Sequence, residues 1–375
     1  MRALRRRSGD GAGGGRVATA TGAVLVRDAP EPEPGPGEVL LRTIAAGVSG
    51  LDARRAAGDA SCEDGAGEVG GSLTLGHEFV AAVESVGPAM GTRADEHAGK
   101  LLGCRVVGSP IVPCRSCELC RGGLSAHCPT RRVLGVSGLD GCLAERFVLP
   151  AANLVRVPEG VDDLAAVLAA PLASAIHASR QVRLEAKPYV TVLGDGLTAL
   201  LCAQVMNRLN ASVRLIGWNA DRLALCDRWA IRNRSVHAVG LRADQDVVVD
   251  CSGRADGLAV AARMLRPRGT VVLKSPDVVV PSFATGERRL DAAGDRSDDD
   301  RLDGPSPAQL IIAKELSVVG SVGGSQADAV LALGRSDVET SALVTKRLKL
   351  DDAERALAAA RASDETGDVR VVVEP

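Results

Sequence analysis

Apolar positions along this chain follow two different rhythms. Between residues 17 and 150 they come in short runs broken by Gly and Pro, such as GEVLLRTIAAGV and GHEFVAAVESVG, which predicts a strand-rich first lobe. PEPEPGPGE, at 30–38, predicts a stiff surface connector. From about residue 160 helical runs alternate with continuous apolar strands. VDDLAAVLAAPLASAIHASRQ, GLTALLCAQVMNRL and ADRLALCDRWA read as helices, and YVTVLG, SVRLIG, DVVVDCSG and GTVVLKS as strands. That order predicts an α/β fold: a parallel sheet buried on both faces by crossover helices. Periodicity vanishes between Ser282 and Gln309, around GDRSDDDRLDG, where a mobile loop is expected. ELSVVGS then predicts the last strand of the parallel sheet. The tail, helix–strand–helix–strand, is expected to return to the first lobe. The division implied is residues 1–160 with 322–375 in one domain and 161–321 in the other.

Composition narrows the class. With 375 residues the chain is long enough for two cores, and 46% apolar with 25% charged residues is the balance of a globular protein rather than a disordered one. A formal charge of −2 gives no general attraction to nucleic acid. No apolar run has the length of a membrane span and the first sixteen residues lack the hydrophobic stretch of a secretion signal, so a cytoplasmic location is expected. Tyr189 is the single tyrosine, which leaves little scope for a tyrosine acid.

Four of the ten cysteines fall in CRSCELCRGGLSAHC, at 114–128. The spacing CxxCxxCx7C lets Cys114, Cys117, Cys120 and Cys128 converge on one tetrahedral ion. Four thiolates close the shell, so the zinc expected there is structural. His127, beside Cys128, is expected to face solvent. The lobe that carries this site is expected at about 104–130. The remaining cysteines are scattered, as reduced thiols would be.

VTVLGDGLTALL places Gly194, Gly196 and Ala199 in a GxGxxA pattern directly after a strand and at the start of a helix. In a dinucleotide site the first glycine makes the tight turn, the second lets the backbone approach the pyrophosphate, and the third position packs helix on strand. The next strand ends at Gly217, where an NAD site carries an acid for the ribose hydroxyls. With no carboxylate at 217, a 2′-phosphate is not repelled, and Arg222 is within reach in sequence. This tilts the expectation toward NADP, with NAD as the other candidate. Ser252 and Gly253, in DCSG, sit at another strand end, where such a sheet lines its ligand crevice.

Strand-rich lobe, GHE tripeptide, four-cysteine lobe and GxGxxA turn together resemble the zinc-type alcohol dehydrogenases of the medium-chain dehydrogenase/reductase superfamily. The resemblance implies a GroES-like catalytic domain holding both chain ends, a Rossmann NAD(P)-binding domain between, a structural zinc at the cysteines, and a homodimer or homotetramer. It also implies a second, catalytic zinc held by a Cys, the His of GHE and a further Cys or carboxylate. Here the matching segments are GVSGLD, GHE and AAPLASAIHA. Ser49 stands where the first Cys is expected, and His77 with Glu78 matches. Ala170 and Ser174 replace the third ligand on either alignment, and Leu51 replaces the proton-relaying hydroxyl. Asp52 remains, in the place of the carboxylate that orients the histidine. His177, one turn beyond Ser174, is a substitute ligand or a helix histidine; the isolated Cys62, Cys104 and Cys142 are expected to be buried thiols. With two anionic ligands gone, the second zinc is expected to be weak or absent.

The function expected on this resemblance is NAD(P)-dependent hydride transfer between nicotinamide and a small alcohol or carbonyl substrate, with candidate catalytic residues His77, Glu78, Asp52, Ser49 and Ser174. Two alternatives remain: a zinc-independent NADPH reductase of enones or quinones, and a non-catalytic dinucleotide-binding protein on the same scaffold.

Overall fold

The longest strand of the first lobe, Glu38–Val48, buries alternate residues at its start and every residue at its end. It can do so because it lies inside a sheet, pairing antiparallel with Glu78–Val86, Arg146–Pro150 and Arg370–Glu374. The sheet continues outward through Arg105–Gly108 and Leu154–Arg156 on one side and Val344–Lys349 on the other. The two last strands of the chain therefore lie in the same sheet as its first long strand. The structure, a computed structural model, describes residues 1–6, 23–57, 73–89, 91, 93–183, 187–240, 242–274 and 305–375.

The second sheet is wholly parallel. Its order is 232–235, 212–217, 189–193, 245–250, 265–274, 317–321. Chain order reverses between 189–193 and 245–250, the switch point at which open α/β sheets form a ligand crevice. A GroES-like strand domain plus a Rossmann-type parallel-sheet domain is thus the observed fold class.

The helix Ala169–Ser179 joins the two sheets: it packs on strand Glu78–Val86 of the first and strand Ser317–Ser321 of the second. Nine of its eleven residues are buried, which its small side chains, AAPLASAIHAS, permit. One apolar core runs through it, from Val80 and Val107 to Val190, Val192 and Leu200.

Two local expectations change, and one strand adds to them. The helix expected over 161–181 is two, Asp163–Ala166 and Ala169–Ser179. Pro171 has no N–H to donate and its ring excludes the carbonyl four residues back, so the chain restarts its winding just before it. Arg232–Ser235 forms an edge strand although RNRS has no apolar alternation, because its backbone alone pairs with Arg214–Gly217. Most of the expected 282–309 loop lies outside the described residues, as does Cys62. The end of that span instead opens the helix Pro307–Lys314, where Ser306 and Gln309 form a capping box.

Candidate functional site

Strand Glu38–Val48 runs straight into the helix Gly50–Ala56, and Ser49 is the cap between them. Its hydroxyl accepts from the Asp52 N–H (3.3 Å), while Asp52 Oδ2 accepts from both the Ser49 N–H (2.8 Å) and its hydroxyl (2.8 Å). The capping box leaves Asp52 Oδ1 free to bond His77 Nδ1 at 3.1 Å. Asp52 therefore both caps the helix and orients the histidine. His77 is presented by Gly76, whose φ of +99° suits only glycine; a Cβ there would lie 2.6 Å from the Leu143 backbone nitrogen.

Glu78 continues the cluster. Its Oε1 lies 3.2 Å from Arg370 Nη2, and Arg370 Nη1 donates to the Val48 carbonyl at 3.1 Å. Ser49, Asp52, His77, Glu78 and Arg370 are all buried. Arg370 carries no motif around it and reaches Val48 across 322 positions of sequence, so sequence reasoning missed it. His77 Nε2 has no hydrogen-bond partner among the described residues; Glu78 Oε1, at 3.9 Å, is beyond bonding distance.

Burial alone would push the His77 pKa down. The charge and hydrogen bond of Asp52, then the charge of Glu78, outweigh burial against the opposing charge of Arg370, and the imidazole is raised to about 9. Burial would likewise raise Asp52, but His77 and the bonds from Ser49 hold it below the ordinary carboxylate value. Because the folded His77 pKa lies above 6.5, its stabilising contribution is whole below that pH and is lost as pH rises through about 9. Unfolding by urea should show the wild type losing a few kcal/mol relative to His77→Asn between pH 6.5 and 9. Parallel curves for the two proteins would contradict a proton held on His77. The Asp52 contribution has the opposite sign and fades only in acid.

The donors around His77 do not make a metal shell. Asp52 is committed through both oxygens and Glu78 Oε1 to Arg370, which leaves Glu78 Oε2, buried and without a hydrogen-bond partner, as the one carboxylate oxygen still open. Cys142, near by, has its thiol pushed well up by burial and then by the charges of Asp52 and Glu78, so it stays protonated. Ser174 is buried on the Ala169–Ser179 helix with no hydrogen bond to the His77 group, and Ala170 offers no donor. His177 bonds Gln181 across one helical turn (3.2 Å), the helix-satisfied alternative, with its pKa lowered by burial and by the charges of Lys274, Arg180 and His127. Among the described residues, the four cysteines are the one group of three or more His, Cys, Asp or Glu donors close enough to share an ion.

In that group all four sulfurs lie within 4.8 Å of one another. Cys114–Cys120 and Cys117–Cys128 are both 3.9 Å apart, against an edge of about 3.8 Å for a tetrahedron with Zn–S bonds of about 2.3 Å. The backbone N–H groups of Cys114 and Cys117 point at Cys128 Sγ and Cys114 Sγ, each at 3.3 Å. The Ser116 hydroxyl and then backbone donors hold Cys114 down to about 5, while desolvation and then Cys117 push Cys120 up to about 11. Four sulfurs held at the spacing of a tetrahedral shell, with Cys114 favoured as a thiolate, are a donor set that fits zinc. His127 faces solvent beside it, as its position suggested.

At the parallel sheet, Gly194 takes φ +122° and a Cβ on it would lie 3.0 Å from the Cys251 carbonyl carbon. The space over Gly196 is open, and Gly196 opens the helix Leu197–Arg208, whose first backbone donors face the crevice end of the sheet. Ala199 is buried in the core. Ser252 spends its hydroxyl on Asp250 Oδ1 (2.7 Å), closing the turn in which Gly253 has φ +68°. Trp218 lies under the Arg254 guanidinium, 5.1 Å from the ring centre.

Arg222 is engaged within the protein itself. It is buried, with Nη1 bonded to Asp195 (3.2 Å) and Asp364 (3.0 Å) and Nη2 to the Ser363 and Asp368 carbonyls. The reason is the returning tail, which lays 363–368 against the helix Ala220–Arg228 and takes up the guanidinium. Asp195, inside the glycine turn, is a site residue that the sequence analysis does not single out; an acid at that position is the available signal.

A model of the alcohol dehydrogenase GroES-like domain matches residues 35–159. D-xylulose reductase A of Aspergillus niger is 26% identical over 308 residues, 77% of this chain and 78% of the relative. A thermostable alcohol dehydrogenase from Pyrobaculum aerophilum superposes with a TM-score of 0.76 at 25% identity, over 100% of this chain and 99% of that one. A candidate zinc-binding dehydrogenase from Sinorhizobium meliloti 1021, bound to NADP, gives the same three coverage and identity values, also with a TM-score of 0.76. No helix among the described residues is long and apolar enough to cross a membrane.

Proposed function

We propose that this chain, whose medium-chain dehydrogenase/reductase fold and family the comparisons support, is an NAD(P)-dependent oxidoreductase in which His77, rather than a catalytic zinc, handles the proton. The observation that carries the reading is His77 itself: an imidazole raised to about 9, fixed through Nδ1 by Asp52, with Nε2 unbonded. Among the described residues no group of three His, Cys, Asp or Glu donors meets at His77 to hold a catalytic metal.

The glycine turn and the helix behind it bind the pyrophosphate and orient the nicotinamide. In reduction, hydride passes from nicotinamide C4 to the carbonyl carbon, and the developing alkoxide takes the Nε2 proton of His77. Asp52 holds the ring in place and favours its charged form; Arg370 does the same for Glu78. Water then returns the proton to His77. Alcohol oxidation is the reverse. The four cysteines would hold one zinc as the clasp of their lobe, without a position open to substrate. A relative named as a xylulose reductase puts vicinal polyols and ketoses first among substrates to try.

The test is metal and turnover on one sample. The purified protein should contain about one zinc per chain and oxidise NADH or NADPH with a ketose or simple carbonyl. Two tightly held zincs, or dinucleotide binding with no turnover across alcohols, ketoses, enones and quinones, would reject the reading.

A further inference from the structure

We propose that Asp195 makes this site select NAD(H) over NADP(H), its carboxylate standing in for the acid that Gly217 lacks. This rests on the dinucleotide reading above. Strand Ser212–Gly217 ends where a Rossmann site reads the ribose. A Cβ built on Gly217 would lie 2.5 Å from Asp195 Oδ2 and 2.6 Å from Asp195 Cβ. The space a residue-217 side chain would use is therefore already filled by a carboxylate, delivered from the glycine turn of the neighbouring strand.

Its bonds favour a hydroxyl and oppose a phosphate. Oδ2 accepts the backbone N–H of Trp218 and that of Asn219 (2.8 Å), the donors a 2′-phosphate at this strand end would require. Among the described residues Oδ1 accepts only Arg222 Nη1, leaving a lone pair for a ribose hydroxyl. The nearby cations are committed. Arg222 serves Asp195, Asp364 and two carbonyls of the tail, and Arg254 is stacked on Trp218 and paired with Asp256 at 2.9 Å. The rim adds further negative charge. Asp221 Oδ2 comes within 3.4 Å of a Cβ built on Gly367, beside Asn219, and the Asp364 side chain is 93% exposed. A group carrying nearly two negative charges would enter an acidic, donor-poor corner, whereas a neutral hydroxyl finds an acceptor.

Calorimetric titration of the intact chain with NADH and with NADPH tests this without turnover. The wild type should bind NADH at least about tenfold more tightly. Asp195→Asn keeps the shape and removes the charge, so the ratio should narrow about tenfold, mainly through tighter NADPH binding. Equal or tighter binding of NADPH by the wild type overturns the proposal, and needs no variant to fold. So does a folded Asp195→Asn in which both affinities fall together, since a turn-bracing role alone would do that. Failure of the wild type to bind either dinucleotide would instead overturn the underlying reading, and this inference with it.

Discussion

Replacing Cys120 by serine is expected to take the zinc content from about one ion per chain to near zero and to lower Tm by roughly 5 °C or more. The magnitude follows from how little else holds the lobe. Its helix Glu118–Arg121 has four residues and buries none of them, and Leu119 and Leu124 are exposed. Cys128 is the only one of the four ligands that is buried. With no apolar core between 114 and 128, a metal bound there would serve as the core, and the apparent binding energy of such sites, about 10–16 kcal/mol, is largely folding energy of the segment tied. The rest of the molecule keeps its own cores, so the loss should be local. Elemental analysis together with limited proteolysis would check it: cleavage within 114–128 should rise sharply. An unchanged zinc count in the variant would move the metal elsewhere.

His77→Asn is expected to lower kcat by about 100-fold or more while leaving dinucleotide affinity within a factor of about two. The amide preserves a donor toward Asp52 but carries no transferable proton. The cofactor turn lies in the other sheet, so binding has no reason to change. Steady-state kinetics with a parallel NADH titration separates the two effects. A variant that retains kcat would place the proton on another group, and one that loses cofactor binding would show that the substitution disturbed the fold. Global collapse is not expected, because the capping box of Ser49 and Asp52 persists without His77.

Much of this protein was readable from spacing. The change of rhythm near residue 160 separates the strands of one sheet from the βα units of the other. The four-cysteine spacing and the glycine turn each lie within fifteen residues, and the structure brings both together as their spacings require. The departures at 49, 170 and 174 were equally legible, since each replaces a donor with a poorer one or none.

Long-range pairing was not legible. Arg222 invited a phosphate because it follows a strand end, yet partners 141 to 146 residues away claim it. Gly217 suggested a missing acid, yet Asp195 supplies one from the adjacent strand. Arg370 reaches Glu78 only because the last strand returns beside the first long one. By itself the sequence determined the two sheet types, the convergence of the four cysteines and the glycine turn, because these depend on contacts within a turn or two of chain, where spacing dictates geometry. Only the tertiary structure decided which charges meet, because burial compels each ion to find a partner and the fold alone sets which partners are within reach.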